Sequence, residues 1–138
     1  MLKVKGYITG SFLGERVPQR VQSLVIQDYC KSNGLHHLFN YSEYLIDGST
    51  HIIKDLMNQL KEVDGIVAYS IFQMPYNNFT RLEIFKKVLK KRKKLFFALE
   101  DLRLENKDDL NDLNNLWLIK KNLKFCRKLD KNDKIFKS

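Results

Sequence analysis

The sequence has few cysteines and no long apolar run. Cys30 and Cys126 are the two cysteines among 138 residues, too few for a disulfide framework, so reduced thiols are expected. No window approaches the run of about 20 apolar residues that a membrane span requires, and the N-terminal apolar stretch is too short for a secretory signal. These absences predict a cytoplasmic protein.

Signatures of cofactor and metal binding are also missing. The segment GSFLGER, residues 10–16, has two glycines but lacks the G-x-G-x-x-G and G-K-[ST] patterns that hold phosphates. Cys30, His36 and His37 match no closed zinc pattern, and adjacent histidines in a strand point to opposite faces. We therefore expect no cofactor and no metal, which leaves acid–base chemistry, covalent serine chemistry or plain binding.

The charge of the chain is strongly positive. A formal net charge of +9 is compatible with nucleic acid, an anionic membrane surface or a small anionic substrate as partner. One cationic cluster, residues 86–94, closes a predicted helix and contains no aromatic residue for base stacking, which favours a solvated helix end. The other lies in residues 121–138, which we interpret as a basic C-terminal tail.

Strand-like and helix-like segments alternate four times along the chain. Apolar runs predict strands at residues 2–9, 35–44, 64–72 and 94–102. The helices between and after them are marked by apolar residues at helical spacing: Val21, Leu24, Val25 and Tyr29; Ile52, Ile53, Leu56, Leu60 and Val63; Phe79, Leu82, Phe85 and Leu89; Leu110, Leu113 and Trp117. This alternation predicts a single α/β domain over residues 1–120, with a mostly parallel sheet of four or five strands.

Polar residues follow the carboxyl end of each predicted strand, where open parallel sheets bind ligands. Ser11 stands at a strand-to-loop turn and is the candidate nucleophile or hydroxyl donor, although no G-x-S-x-G elbow surrounds it. Glu43 and Glu100 follow different strands and are the candidate general acid and base. The candidate substrate-binding residues are Tyr7, Glu15, Arg16, Gln19, Gln22, Tyr69, Ser70 and Gln73.

These residue types also have ordinary structural roles. A loop serine is more often a turn or cap residue, and an exposed ion pair explains Glu15 and Arg16 equally well. One of the two later glutamates is an alternative partner for Arg16, and Tyr69 is an alternative packing residue of a buried strand.

Residues 6–35, GYITGSFLGERVPQRVQSLVIQDYCKSNGL, resemble the catalytic domain of the serine recombinases and resolvases. Tyr7 and Ser11 are spaced like the tyrosine and the nucleophilic serine of that family. The segment DGIVAYSIFQMPY, residues 64–76, resembles its third strand.

The match to the recombinases fails at the charged positions of their active site. Thr9 stands where the family has an arginine, and Phe72, Gln73 and Tyr76 stand where it has an aspartate and two arginines. In the family, those cations neutralise a DNA phosphate during transesterification. Their absence removes the main electrostatic support of that reaction, so the resemblance implies the fold without the chemistry.

A second resemblance covers residues 6–120 and is to the sporadic carbohydrate cluster protein family, small bacterial proteins encoded among genes for surface polysaccharide synthesis. It rests on the segments GYITGSFLGERVPQRVQSLVIQDYC, SEYLIDGS, DGIVAYSIFQMP and FALEDL. This resemblance implies a cytoplasmic role in surface-carbohydrate biosynthesis, where nucleotide-activated sugars are made. It implies no particular reaction.

The sequence thus predicts an enzyme that acts on a sugar phosphate or nucleotide sugar, with Arg16 on an anionic group and the glutamines and Ser70 on sugar hydroxyls. The expected partner is that small molecule; nucleic acid is disfavoured because no helix-turn-helix module is recognised after the domain. The oligomeric state is left open, a homo-oligomer included. Two alternatives remain: a nucleic-acid-binding relative of the serine recombinases without recombinase activity, and a non-catalytic partner of a carbohydrate enzyme.

Overall fold

One five-stranded sheet with helices on both faces makes up most of the fold. The computed structural model describes residues 1–13, 15–43 and 49–137, with side chains as far as Leu123. In chain order the elements are β1 (Lys3–Ile8), β2 (Ser11–Phe12), β3 (Glu15–Arg16), α1 (Gln19–Ser32), β4 (His36–Ser42), α2 (His51–Asn58), a 3-10 helix (Leu60–Glu62), β5 (Gly65–Ala68), a second 3-10 helix (Ile71–Gln73), α3 (Asn78–Lys90), β6 (Lys94–Phe97), β7 (Leu102–Leu104) and α4 (Lys107–Lys137).

The sheet has the strand order β4-β1-β5-β6-β7. The first four strands are parallel to one another, and β7 runs antiparallel to β6 at one edge. The predicted α/β fold with a mostly parallel sheet is therefore confirmed. All four residues of β5 are buried, as expected for a central parallel strand that is covered by helices on both faces.

The two faces of the sheet are covered unequally. The larger core cluster joins α2, α3 and α4 to the sheet through side chains such as Leu56, Phe85 and Trp117. The opposite face is covered by α1, which contributes Ile26, Tyr29 and Cys30. Burial raises the pKa of the Cys30 thiol to about 11.

The apolar residues of α1 and α3 predicted which face of each helix is buried, and in both helices a different face packs against the sheet. In α1, Leu24 is 56% exposed, whereas Gln22 and Ile26 are buried. In α3, Phe79 is 75% exposed and Arg81 is buried. Both inward polar side chains make several hydrogen bonds, which offset the cost of removing them from water.

Two of the predicted strands end earlier than expected. The strand predicted to extend to residue 72 ends at Ala68, because Ser70 and Gln73 form a capping box that starts a 3-10 helix. The last predicted strand ends at Phe97, and the chain reverses through Asp101, whose φ of 53° lies in the left-handed region. Asp tolerates that conformation, and β7 then pairs with β6.

The division at residue 120 falls inside α4, whose backbone runs from Lys107 to Lys137. The separate identity of the basic tail therefore stays a prediction. Among the described residues, no helix combines the length and the apolar character needed to cross a membrane.

Gly65 of β5 lies close to the backbone of β6. A Cβ at this position would lie 2.5 Å from the backbone oxygen of Lys94, so an alanine must push β5 and β6 apart. Gly34 ends α1 with a φ of 66°, and a Cβ there meets nothing within 4 Å.

We expect Gly65→Ala to destabilise the protein more than Gly34→Ala. The second substitution costs only backbone strain of about 1–2 kcal/mol, whereas the first disturbs the centre of the sheet. Urea unfolding of both variants measures the difference. Equal losses would show that β5 and β6 tolerate the added methyl group.

Candidate functional site

The carboxyl end of β1 leads into the hairpin of β2 and β3. Ser11 pairs with Arg16 across this hairpin, and Phe12 pairs with Glu15. Side chains directly opposite in an antiparallel pair have Cβ atoms about 4.5–5.5 Å apart. The side chains of Ser11 and Arg16 therefore start from neighbouring Cβ atoms on the rim of the sheet, and Arg16 is exposed.

A buried network of neutral amides lies beneath the hairpin. The side chain of Gln22 accepts a hydrogen bond from the Thr9 backbone N–H (3.3 Å) and donates to the carbonyls of Thr9 (2.6 Å) and Val17 (2.8 Å). Gln73 donates to Gln22 over 2.5 Å. Gln22 thus ties the end of β1 to the start of α1, and Gln73 ties both to the loop after β5.

Glu100 extends this network at the other end. Its carboxylate accepts hydrogen bonds from the Ser70 hydroxyl and the Ile71 backbone N–H, both at 2.8 Å. Ser70 in turn accepts from the Phe72 N–H (3.1 Å), while the Ser70 N–H donates to Gln73 (3.2 Å). Glu100 and Ser70 together satisfy the first backbone donors of the 3-10 helix.

Glu43 forms a second centre, at the start of α2. It accepts four hydrogen bonds, from the Tyr7 hydroxyl (2.8 Å), the Ser49 hydroxyl (2.8 Å), and the Ile52 (2.9 Å) and Ile53 (3.1 Å) N–H groups. Burial alone raises the pKa of Glu43, but these donors outweigh it and hold the pKa below its usual range. Burial and the nearby Glu43 charge raise the pKa of Tyr7.

Two further candidates lie at the same rim. Gln19 donates to the Ser42 hydroxyl over 2.6 Å at the start of α1. Tyr69 is buried against Phe12, with ring centroids 6.2 Å apart. Burial raises the pKa of Tyr69, and the charges of Glu100 and Glu15 raise it further, which brings two carboxylates into the surroundings of this phenol.

Most of the predicted site residues thus fall into three groups. Gln22, Ser70, Gln73 and Glu100 share one network; Tyr7 and Glu43 form another; and Ser11 pairs with Arg16 in the hairpin. The hydrogen bonds of Glu43 and Glu100 give both carboxylates capping roles. The catalytic roles assigned to them and to Ser11 stay predictions.

Residues set aside as metal ligands also have ordinary surroundings. His37 lies 2.7 Å from the Asn40 side-chain oxygen, and Cys30 is buried in the core under α1. Within the part of the chain that the structure describes, no group of three or more histidine, cysteine, aspartate or glutamate side chains is placed to hold a metal ion.

A buried arginine is the main feature that the sequence analysis missed. Arg81 has no exposed surface, and its guanidinium carbon lies 3.8 Å from the centre of the Trp117 ring. It donates to two side-chain amides and two backbone carbonyls, those of Asn78, Asn114, Pro75 and Tyr76. No carboxylate among the described residues forms an ion pair with it. Burial lowers the pKa of Arg81.

Above this arginine lies a group that we call the aromatic–cation cluster, formed by Tyr76, Trp117, Lys120 and Lys121. Tyr76 is 63% exposed and meets Trp117 edge-on at 5.6 Å. The Lys121 ammonium lies 4.2 Å from the Tyr76 ring centre, and that of Lys120 lies 4.5 Å from the Phe72 ring centre. The spacing of Trp117, Lys120 and Lys121 along one side of α4 was a signal for this cluster in the sequence.

Comparison with known proteins identifies the fold. No protein-family model matches the sequence, and no curated protein matches it. The structure is similar to that of a resolvase family site-specific recombinase from Streptococcus pneumoniae, with a TM-score of 0.64 and 11% identity over 100% of both chains. It is also similar to the N-terminal catalytic domain of TP901-1 integrase, with a TM-score of 0.62 and 18% identity over 92% of this chain and 98% of that one. The chain has the fold of a resolvase catalytic domain.

This finding corrects the expected function. Two structures that match nearly the whole chain are recombinase and integrase domains, and no comparison supports the sporadic carbohydrate cluster family. The prediction of a surface-carbohydrate enzyme with a sugar phosphate or nucleotide sugar as partner is therefore wrong. So is the expectation that nucleic acid is disfavoured, because a helix-turn-helix module is not the only route by which a basic chain of this fold can contact nucleic acid.

The capping role of Glu43 predicts an acid-sensitive contribution to stability. Since its folded-state pKa lies below the ordinary value, its contribution is present above the ordinary glutamate range and is lost as the pH falls through the folded pKa. We expect Glu43→Gln to lower the free energy of unfolding at pH 7 by about 1–3 kcal/mol and to lose less stability on acidification than the wild type does.

Urea unfolding between pH 7 and pH 3 measures both effects. Glu83→Gln, which removes an exposed carboxylate from α3, is the matched control and should keep the wild-type profile. A wild-type pH profile for Glu43→Gln would contradict the capping role.

Proposed function

We propose that the chain is a nucleic-acid-binding protein that uses the resolvase catalytic-domain fold without carrying out strand transfer. The observation that carries this proposal is the likeness to a site-specific recombinase over the full length of both chains. A net charge of +9 supports it, because lysines and arginines that neutralise phosphates supply most of the sequence-independent affinity for nucleic acids.

The positions that resemble the recombinase active site argue against phosphoryl chemistry. Thr9, Phe72 and Gln73 replace charged residues of that family, and here all three are buried. Gln73 contributes its side chain to the buried amide network, and Thr9 contributes its backbone N–H and carbonyl. A phosphoryl transition state needs preorganised positive charge around it, and these positions supply none.

The charges near Ser11 oppose the reaction further. Arg16 pairs with Ser11, but Glu15 pairs with Phe12 in the same hairpin and places a carboxylate beside them. Carboxylates beside a phosphate raise the energy of the charge that develops during transfer.

Binding to duplex DNA tests the proposal directly. A labelled duplex is titrated with the full chain, and binding is followed by fluorescence anisotropy. The logarithm of the binding constant should fall linearly with the logarithm of the salt concentration, with a slope of about −0.9 per phosphate contacted. Uncharged dextran of similar mass is the competitor control. Absence of binding to this duplex and to a single-stranded oligomer, even at low salt, would refute the proposed function.

Strand transfer should be absent. We expect no covalent DNA adduct on a denaturing gel after incubation with supercoiled plasmid, and Ser11→Ala should behave as the wild type does, because the cationic support of the reaction is missing. An active serine recombinase on its own site is the positive control. An adduct that disappears in Ser11→Ala would show that the chain is a recombinase after all.

A further inference from the structure

We propose that the aromatic–cation cluster is a binding site for the unpaired bases and phosphates of single-stranded nucleic acid. This inference rests on the proposed function and adds the surface and the form of nucleic acid that it recognises. The proposed contact with nucleic acid lies at the start of α3 and the middle of α4, and not at the Ser11 hydroxyl.

Tyr76 provides a stacking surface that is already held in position. Its ring is fixed by the edge of Trp117 and by the Lys121 ammonium, yet the residue remains 63% exposed. Phe79, three residues later in the first turn of α3, is 75% exposed. Exposed rings that contribute little to the core are well suited to stacking with bases, which is tolerant of sequence because every base has an aromatic face.

The surroundings of the Tyr76 ring are positively charged, with lysines at the surface and an arginine in the interior. Lys121 lies over Tyr76, and Lys120 lies over Phe72 on the same side of α4. Arg81 lies below, buried beside Trp117, with neutral oxygens as its hydrogen-bond partners and no ion pair among the described residues. A cation in the interior is screened less than one in water, so Arg81 adds to the positive potential at the surface above it.

The combination of rings and cations favours nucleic acid over an acidic peptide. Carboxylates need only the lysines, whereas a strand of unpaired nucleotides uses both features, with bases on the ring and phosphates on the ammonium groups. The Lys120 ammonium also lies 4.0 Å from the Glu15 carboxylate. A phosphate bound at Lys120 therefore competes with the Glu15 carboxylate for this ammonium group. Because Glu15 lies in the same hairpin as Ser11, binding at the cluster changes the charges around Ser11.

The test compares two oligomers that carry the same number of phosphates. One is a labelled thymidine oligomer of about 15 nucleotides, and the other is the abasic oligomer of the same length. We expect Tyr76→Leu to weaken binding of the thymidine oligomer by about tenfold and to leave binding of the abasic oligomer unchanged. Tyr76→Phe, which keeps the ring, should bind as the wild type does.

Charge variants test the lysines separately. Lys121→Ala should reduce the salt dependence for both oligomers by about one phosphate contact. Lys31→Ala removes an exposed lysine from α1 on the opposite face of the sheet and should leave that dependence unchanged. Thermal unfolding midpoints equal to that of the wild type confirm that each variant is folded.

Each failure points to a different error. If the chain binds duplex DNA but Tyr76→Leu affects neither oligomer, the proposed function stands and this site is wrong. If no nucleic acid binds, both proposals fall. If polyglutamate competes as well as the thymidine oligomer and Tyr76→Leu has no effect, the cluster is a surface for acidic proteins, and the inference is overturned.

Discussion

The hydrogen bond between Gln22 and Gln73 is the contact on which the rim of the sheet depends. These two amides are separated by 51 positions in the sequence and are both buried. Through them the end of β1, the start of α1 and the loop after β5 are held in one arrangement. Loss of either partner would leave a buried amide group unsatisfied, which costs more than the bond itself contributes.

This buried network also fixes the arrangement of the polar groups at the rim. Glu100 and Ser70 belong to it through backbone donors of the 3-10 helix, and Glu43 is held in the same way at α2. Carboxylates that accept several hydrogen bonds fix the conformation of the loops that donate them. At two strand ends, carboxylates thus satisfy backbone N–H groups of the helices that follow.

Much of the fold could be predicted from the sequence, because four strand–helix repeats leave few alternatives to a parallel sheet. The faces of α1 and α3 could not, since periodicity treats Gln22 and Arg81 as surface residues and cannot anticipate the partners that allow their burial. The strand β7 was missed because a left-handed Asp101 gives only a weak turn signal. Arg81 lies three and seven residues before Ile84 and Val88, on the same face of α3 as these apolar residues. That spacing was the sign in the sequence that Arg81 is buried.

Function was the less predictable part, since short segments that resemble a carbohydrate family outweighed the more distant resemblance to the resolvases. In the resemblance to the resolvases, Thr9, Phe72 and Gln73 stand at positions where that family has charged residues. Phe72 packs in the core here and Gln73 joins the buried amide network, so these side chains support the fold without carrying a charge. A fold is retained for packing reasons, and its chemistry depends on a few side chains.

The unequal covering of the sheet has a consequence for how the protein opens. On one face α1 supplies the helical side of the core, and Cys30 lies in that contact. With its pKa raised to about 11, this thiol is almost wholly protonated at neutral pH and is shielded from reagents while α1 stays in place. Its modification would therefore follow the separation of α1 from the sheet, so that one buried sulfur reports the local opening of an entire face.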